Sequence, residues 1–341
     1  ALMGAGVHLY RSSAVFSGLK IHHNYASSTV GGMLIWGHQT YFPTIVFDPI
    51  NLCSIYENYG ANPTDIEVTD IHQNLQINLD MVSVENPSDF YVQRNSNFIV
   101  TEDYHDTVIY QRSYRTEVNH DLYVSPDGDD ENSGLSPSQA LRSITLAIHR
   151  IKANNIDRNN VWVLPGTYTR ITQTFPIPMK SFVNVIGSGS DEVDIEFDGN
   201  NMISASVIIG IGKQENLNLS GITIRGTGEY ALQVRPLSVS WGLSDSIIQD
   251  LVIDDFFLFI HGIVYRSLNS TLKDFTLRNC TTPRRAFNTG SGWISGAMEN
   301  CVFENIESLN TDSPEDQPTV IDIWVKEQIN IENCVFRDIR V

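Results

Sequence analysis

The chain has 341 residues, 41% of them hydrophobic, enough for two ordinary domains or one elongated one. Its 40 Asp and Glu against 22 Lys and Arg leave a formal net charge of -18, a field that repels phosphate backbones and polyanionic glycans and attracts divalent cations. Nucleic acid is therefore not an expected partner. No run of about eighteen apolar residues suggests a membrane span, and four cysteines without a CxxC pair exclude a disulfide scaffold or a zinc pattern.

In chain order, "GVHLY" from Gly6 is echoed by "GGMLIWG", beginning at Gly31, at a step of 26. "FSGLKIHHN" from Phe16 is echoed by "NLCSIYEN" from Asn51 at a step of 34, which lays Asn24 on Asn58. Alternation of period two broken by Gly and Asn reads as short strands and turns. Residues 1–64 are expected to form the last coils of a first solenoid. His22 and His23, adjacent on a strand, should point to opposite faces and so not share a metal ion. Residues 65–120 still alternate but share no slot, and are expected to be an irregular β-rich connection or cap.

"DLYVSPDGDDENSG" from Asp121 opens the second block, residues 121–341, with Asp127, Asp129, Asp130 and Glu131 inside five positions. It lacks the spacing of a twelve-residue calcium loop, because Asn132 and Ser133 stand where Gly should follow the third ligand. The stretch reads as a start marker whose glycines, Gly128 and Gly134, permit tight turns. Asp127, Asp129 and Asp130 are the candidate calcium ligands, and no other cofactor is expected. In "SPSQALRSITLAIHRIKANN", Ile144, Ala147, Ile148 and Ile151 lie on one helical face, predicting a helix over about 138–153 that plugs the open solenoid end. Ser138 or Ser136 is its expected N-cap.

Beyond the strands of "VWVLPGTYT", "FVNVIGSG" and "VDIEFDGNN", five segments align: "LSGITIRG" from Leu219, "IQDLVIDD" from Ile248, "LKDFTLRN" from Leu272, "MENCVFEN" from Met298 and "IENCVFRD" from Ile331. Their turn-formers are Gly221, Asp250, Asp274, Asn300 and Asn333, at steps of 29, 24, 26 and 33. Such units predict an all-β fold, a parallel β-helix with one coil per repeat. Cys53, Cys280, Cys301 and Cys334 all fall on apolar positions and read as core residues, with a Cys301–Cys334 bridge open but unneeded.

The stretch "YVSPDGDDENSGLSPSQALRSITLAI" followed by "VWVLPGTY" resembles the start of a right-handed parallel β-helix, pectate-lyase-like family, closely over Tyr123–Tyr168 and loosely to Val341. That resemblance implies the fold but not an activity, since the same opening precedes lyases, glycoside hydrolases and large bacterial surface proteins. "GGMLIWG", "SIYENYGANPTDI" and "ENPSDFYV" resemble secreted multi-repeat proteins of the type IX export route. Those carry a sorting domain that is not seen here, and with a coil interrupted at Val341 the expectation is a fragment or processed form, extracellular or on a bacterial surface.

Enzymatic candidates are sparse. A lyase would use an outward Lys or Arg: Lys20, Arg225, Lys273, Arg278, Arg337 or the pair Arg284–Arg285. A glycoside hydrolase would use two carboxylates on neighbouring coils, Asp254 with Asp274 or Asp274 with Glu304. Neither set forms a recognisable motif. Trp36, Tyr41, Trp241, Trp293 and Trp324 lie near turns or in longer loops, where rings can stack on sugars. The leading expectation is a non-catalytic surface, adhesin-like or fibre-forming module that binds glycans or other copies of itself; the alternative is a polysaccharide lyase or glycoside hydrolase.

Overall fold

The computed structural model describes all residues except 1–5, 27–29, 38–42, 60–64, 72, 86–91, 96–106, 199–205, 211–213, 228–233, 259–260, 284, 290–293, 310–320, 324 and 341. The chain forms two compact units, Ala1–Glu117 and Val118–Val341. Both are parallel β-solenoids.

In the first unit, strands Val7–Tyr10, Met33–Trp36, Ile66–Thr69 and Val92–Asn95 stack in one parallel sheet. Strands Lys20–His22, Cys53–Tyr56, Gln76–Val84 and Thr107–Arg115 stack in a second, and Ala14–Phe16 pairs with Ile45–Phe47. The repeats read from the sequence are the registers observed. Val7 lies beside Met33 at a step of 26, and Ile21 beside Ile55 at a step of 34. Asn24 donates through Nδ2 to Asn58 Oδ1 (2.9 Å), and Asn58 in turn to Asp65 Oδ1 (2.8 Å).

Residues 65–120 are not the irregular connection that their sequence suggests: four strands of that segment continue the two ladders as further coils up to Arg115. The cadence is hidden because a register shift interrupts the pairing between Cys53 and Ser54, and because the nine-residue strand Gln76–Val84 buries consecutive residues.

In the second unit, 19 strands among the described residues join in one continuous sheet. Leu219 pairs with Ile248, Ile248 with Leu272, Leu272 with Met298 and Met298 with Ile331, so all five aligned segments stack as written. The inward column Ile195–Ile224–Ile253–Leu277–Phe303–Phe336 is a dry stack whose first five members are fully buried. Each such side chain contributes roughly 1.5–3 kcal/mol relative to exposure. The turn-former slot has a conformational cause. Gly221, Asp250, Asp274, Asn300 and Asn333 all have left-handed backbone, φ between 46° and 68°. Asn and Asp tolerate that conformation, and their side chains link coil to coil. Asn300 Nδ2 donates to Asp274 Oδ1 at 2.9 Å, and Asn333 Nδ2 to Asn300 Oδ1 at 3.4 Å.

The four cysteines are free thiols; Cys53, Cys280 and Cys301 are buried and Cys334 is half-buried. Burial pushes the Cys280 and Cys301 thiols up to about 12, as expected of inert core residues.

The cap helix is Ile144–Arg150, shorter than predicted, and its N-cap is Ser143, whose hydroxyl accepts from Leu146 N at 3.1 Å. Ser136 instead precedes a 3₁₀ turn, Pro137–Gln139, and makes no capping bond. The helix starts late because Leu141 is held in a bridge to Val124. The predicted apolar face is correct: Ile144, Ala147, Ile148 and Ile151 are all fully buried.

Candidate functional site

The opening loop of the second unit is a fastener. Asp121 accepts from Asn160 N and Nδ2 and from Trp162 Nε1 at 2.8–3.0 Å. Although burial alone would raise its carboxyl, these bonds hold it below its ordinary value. Asp130 Oδ1 accepts from Arg142 N and Ser143 N, at the helix entry, and Asp129 Oδ1 from Glu131 N. Gly134 has φ 77°, and Gly128 lies so close to Leu141 that a Cβ would stand 2.2 Å from its carbonyl oxygen. Among the described residues no group of three or more His, Cys, Asp or Glu is placed to hold a metal ion. Asp127, Asp129 and Asp130 are thus not gathered into a calcium cage.

The concave feature with chemical content lies on the outward face of the second unit. Parallel in-register stacking builds it. One outward column runs Glu196, Arg225, Asp254, Arg278, Glu304, Arg337, alternating in sign on six successive coils. Two residues earlier on the same face runs Thr167, Asp194, Thr223, Val252. Arg225 and Arg278 of the first column and all four residues of the second floor an open cleft of about 480 Å³, walled by Ser190, Asp191 and Glu192. The wall is anchored: Ser190 N donates to Asp250 Oδ2 at 3.1 Å, and Thr223 Oγ1 to the Ser190 carbonyl at 2.6 Å.

Asp254, only 5% exposed, is the hub. Its Oδ2 accepts from Arg225 Nη1 (2.7 Å) and Arg278 Nη2 (3.0 Å), and its Oδ1 from Asn279 Nδ2 (2.8 Å). Arg225 Nε also donates to Asp194 Oδ2 at 3.0 Å. Burial works to raise the Asp254 carboxyl, but the bonds and charges of Arg278, Asn279 and Arg225 outweigh it and hold it low. The Asp194 hydrogen bond raises Arg225 further. Such a carboxylate is a poor general acid and such an arginine a poor general base. The two arginine side chains remain 35% and 39% exposed, with N–H groups beyond those spent on Asp194 and Asp254.

The carboxylate pairs suggested by the sequence do not form. Asp254 and Glu304 share a column with Arg278 between them, whereas Asp274 occupies the left-handed turn slot beside Asn300. Arg337 pairs with Glu304, Lys273 with Glu299 and Arg285 with Asp322. Arg284 lies outside the described residues, as do Tyr41, Trp293 and Trp324 and the side chain of Trp241. Trp36 is half-buried in the first unit, donates through Nε1 to Asp70 Oδ2 (3.1 Å) and packs edge-on against Tyr10.

Asp194, Thr167 and the Ser190–Glu192 wall escaped the sequence reading. Carrying the aligned register one coil back from Leu219 into "VDIEFDGNN" sets Asp194 on Thr223 and Glu196 on Arg225. The expected divergence of His22 and His23 also fails. The strand ends at His22, His23 takes φ 56°, and the two Nδ1 atoms meet at 2.8 Å.

A family described as "Protein of unknown function (DUF1565)" matches residues 126–283, which take in the opening loop from Pro126 onward, the cap helix and the cleft. No curated protein and no solved structure matches the chain. Among the described residues no helix is long and apolar enough to cross a membrane.

Proposed function

We propose that the chain is a non-catalytic, extracellular β-helical binding module whose second unit holds a glycan in the Asp194–Arg225–Arg278 cleft. The observation that carries this reading is the pair of arginines fixed by Asp254 while keeping unspent donors at an open, hydroxyl-lined groove. Planar guanidiniums and carboxylates beside threonine hydroxyls match the vicinal hydroxyls of a sugar, and anchoring lowers the entropy cost of binding. Asp191, Glu192 and Asp194 in the same groove, together with the net charge of -18, favour neutral or amino-bearing glycans over uronates.

An array of neutral, amino-bearing and acidic glycans, read with the full chain and with Arg278→Ala, tests the proposal. Retention of neutral or amino glycans, lost in the variant while its melting transition persists, supports it. Selective retention of uronates, or retention indifferent to Arg278, refutes it. Turnover of any array glycan would favour the lyase or hydrolase reading instead.

A further inference from the structure

We propose that His22 and His23 form a two-histidine site for a divalent transition-metal ion that accepts tetragonal coordination, of the copper(II) or nickel(II) kind. The site lies in the first unit and is independent of the glycan reading. Its first support is the bite. Two imidazole nitrogens bound at about 2.0–2.1 Å stand about 2.9 Å apart when they occupy adjacent square positions, and about 3.4 Å apart on a tetrahedron. The observed Nδ1–Nδ1 separation is 2.8 Å; with centroids 5.0 Å apart the rings face nearly head-on, and a tilt of each ring at this separation brings both lone pairs onto one ion.

The second support is that the rings are held. His22 stacks on Tyr56 at 4.9 Å between centroids and 13° between planes. Tyr56 meets His23 at 6.1 Å and 80°, and Tyr114 meets His23 at 6.4 Å and 87°. His23 N donates to the Glu57 carbonyl at 2.9 Å, fixing the left-handed turn that swings its ring toward His22. Ligands whose rotamers are set by packing lose little freedom on binding. Both histidines are exposed, so an ion and the waters that complete its shell can reach them.

Chemistry selects the ion. Two imidazoles favour nitrogen-seeking transition metals over calcium or magnesium, and the acidic chain concentrates any divalent cation. In the metal-free pair one ring donates its Nδ1 proton to the other. On binding, that proton moves through solvent to the donor ring's own Nε2, leaving both Nδ1 lone pairs on the metal with no net proton released from neutral rings.

Copper(II) titrated into the full chain in a weakly coordinating buffer, followed by calorimetry and electron paramagnetic resonance, tests the site. The expected result is one ion per chain at micromolar affinity or tighter, with hyperfine coupling from two nitrogens. His22→Ala and His23→Ala should each weaken it by more than about tenfold, and His22→Gln, which keeps the ring's volume and a polar contact, should do the same. His120→Ala, elsewhere in the chain, should leave it unchanged. No micromolar binding, a signal with fewer than two nitrogens, or wild-type affinity in the two histidine variants would each overturn the assignment.

Discussion

The two units solve the same interior problem and spend their outer surfaces differently. Each stacks apolar side chains in register and turns its corners on left-handed residues bonded up and down the solenoid. On the outside, the second unit carries a column of alternating charge bound through Asp254, whereas the first carries His22, Tyr56 and Tyr114 in ring contact. Burial dictates the inward slots, so they recur. Outward slots need only be compatible with the coil above and below, and are free to take up binding chemistry.

The largest expected effect lies in the shared interior. Phe303 is fully buried against Phe275, Phe287 and Phe336. Phe303→Ala should cost about 3–5 kcal/mol in denaturant unfolding of the second unit and leave the first unit's amide exchange unchanged. A cost below about 1 kcal/mol would mean that the column is not a packed core.

The units should also differ in sign with pH. Asp65 of the first unit is buried, and desolvation raises its carboxyl to about 7 despite bonds from Ser83 and Asn58. The folded state then holds a proton that the unfolded state, near 3.8, has released. Its contribution is present below about pH 4 and is lost as pH rises to about 7. His149 of the second unit is buried and, chiefly by desolvation, lowered to about 3. There the unfolded state binds the proton first, so stability is present above about 6.5 and falls as pH drops toward 3. Hydrogen exchange resolved by unit should therefore show slopes of opposite sign, flattened in the first unit by Asp65→Asn. Equal slopes in both units would break the comparison.

Smaller effects belong to the outer columns. Asp254→Ala removes a nearly buried carboxylate that accepts hydrogen bonds from three residues, but its arginines are exposed enough to rehydrate. The expected loss is about 1–3 kcal/mol. Arg337, mostly exposed on Glu304, should cost less than about 1 kcal/mol on replacement by Ala. If the two variants cost the same in thermal melts, the hub role of Asp254 is wrong.

How much was legible follows the same division. The inward pattern and the turn slot repeat, so coil registers from Leu219 to Ile331 could be read from spacing alone, as could the helix face built on Ile144 and Ile148. The cleft was less legible because it depends on which outward residues align across coils of unequal length, and on the Ser190 wall being tied to Asp250, 60 residues away. His22 and His23 were misread because alternation assumes a continuing strand, and the chain turns left-handed at His23. Residues 65–120 hid their coils behind a register shift.

The central claim is that the second unit's cleft holds a glycan without cleaving it. The direct measurement is calorimetric titration of the full chain with the neutral or amino-bearing oligosaccharide best retained on the array, followed by chromatography of the recovered ligand, repeated with Arg278→Ala. The account predicts saturable binding, ligand recovered at its original length, and heat lost in the variant. Shortened or unsaturated products, or equal heats from both proteins, would contradict it.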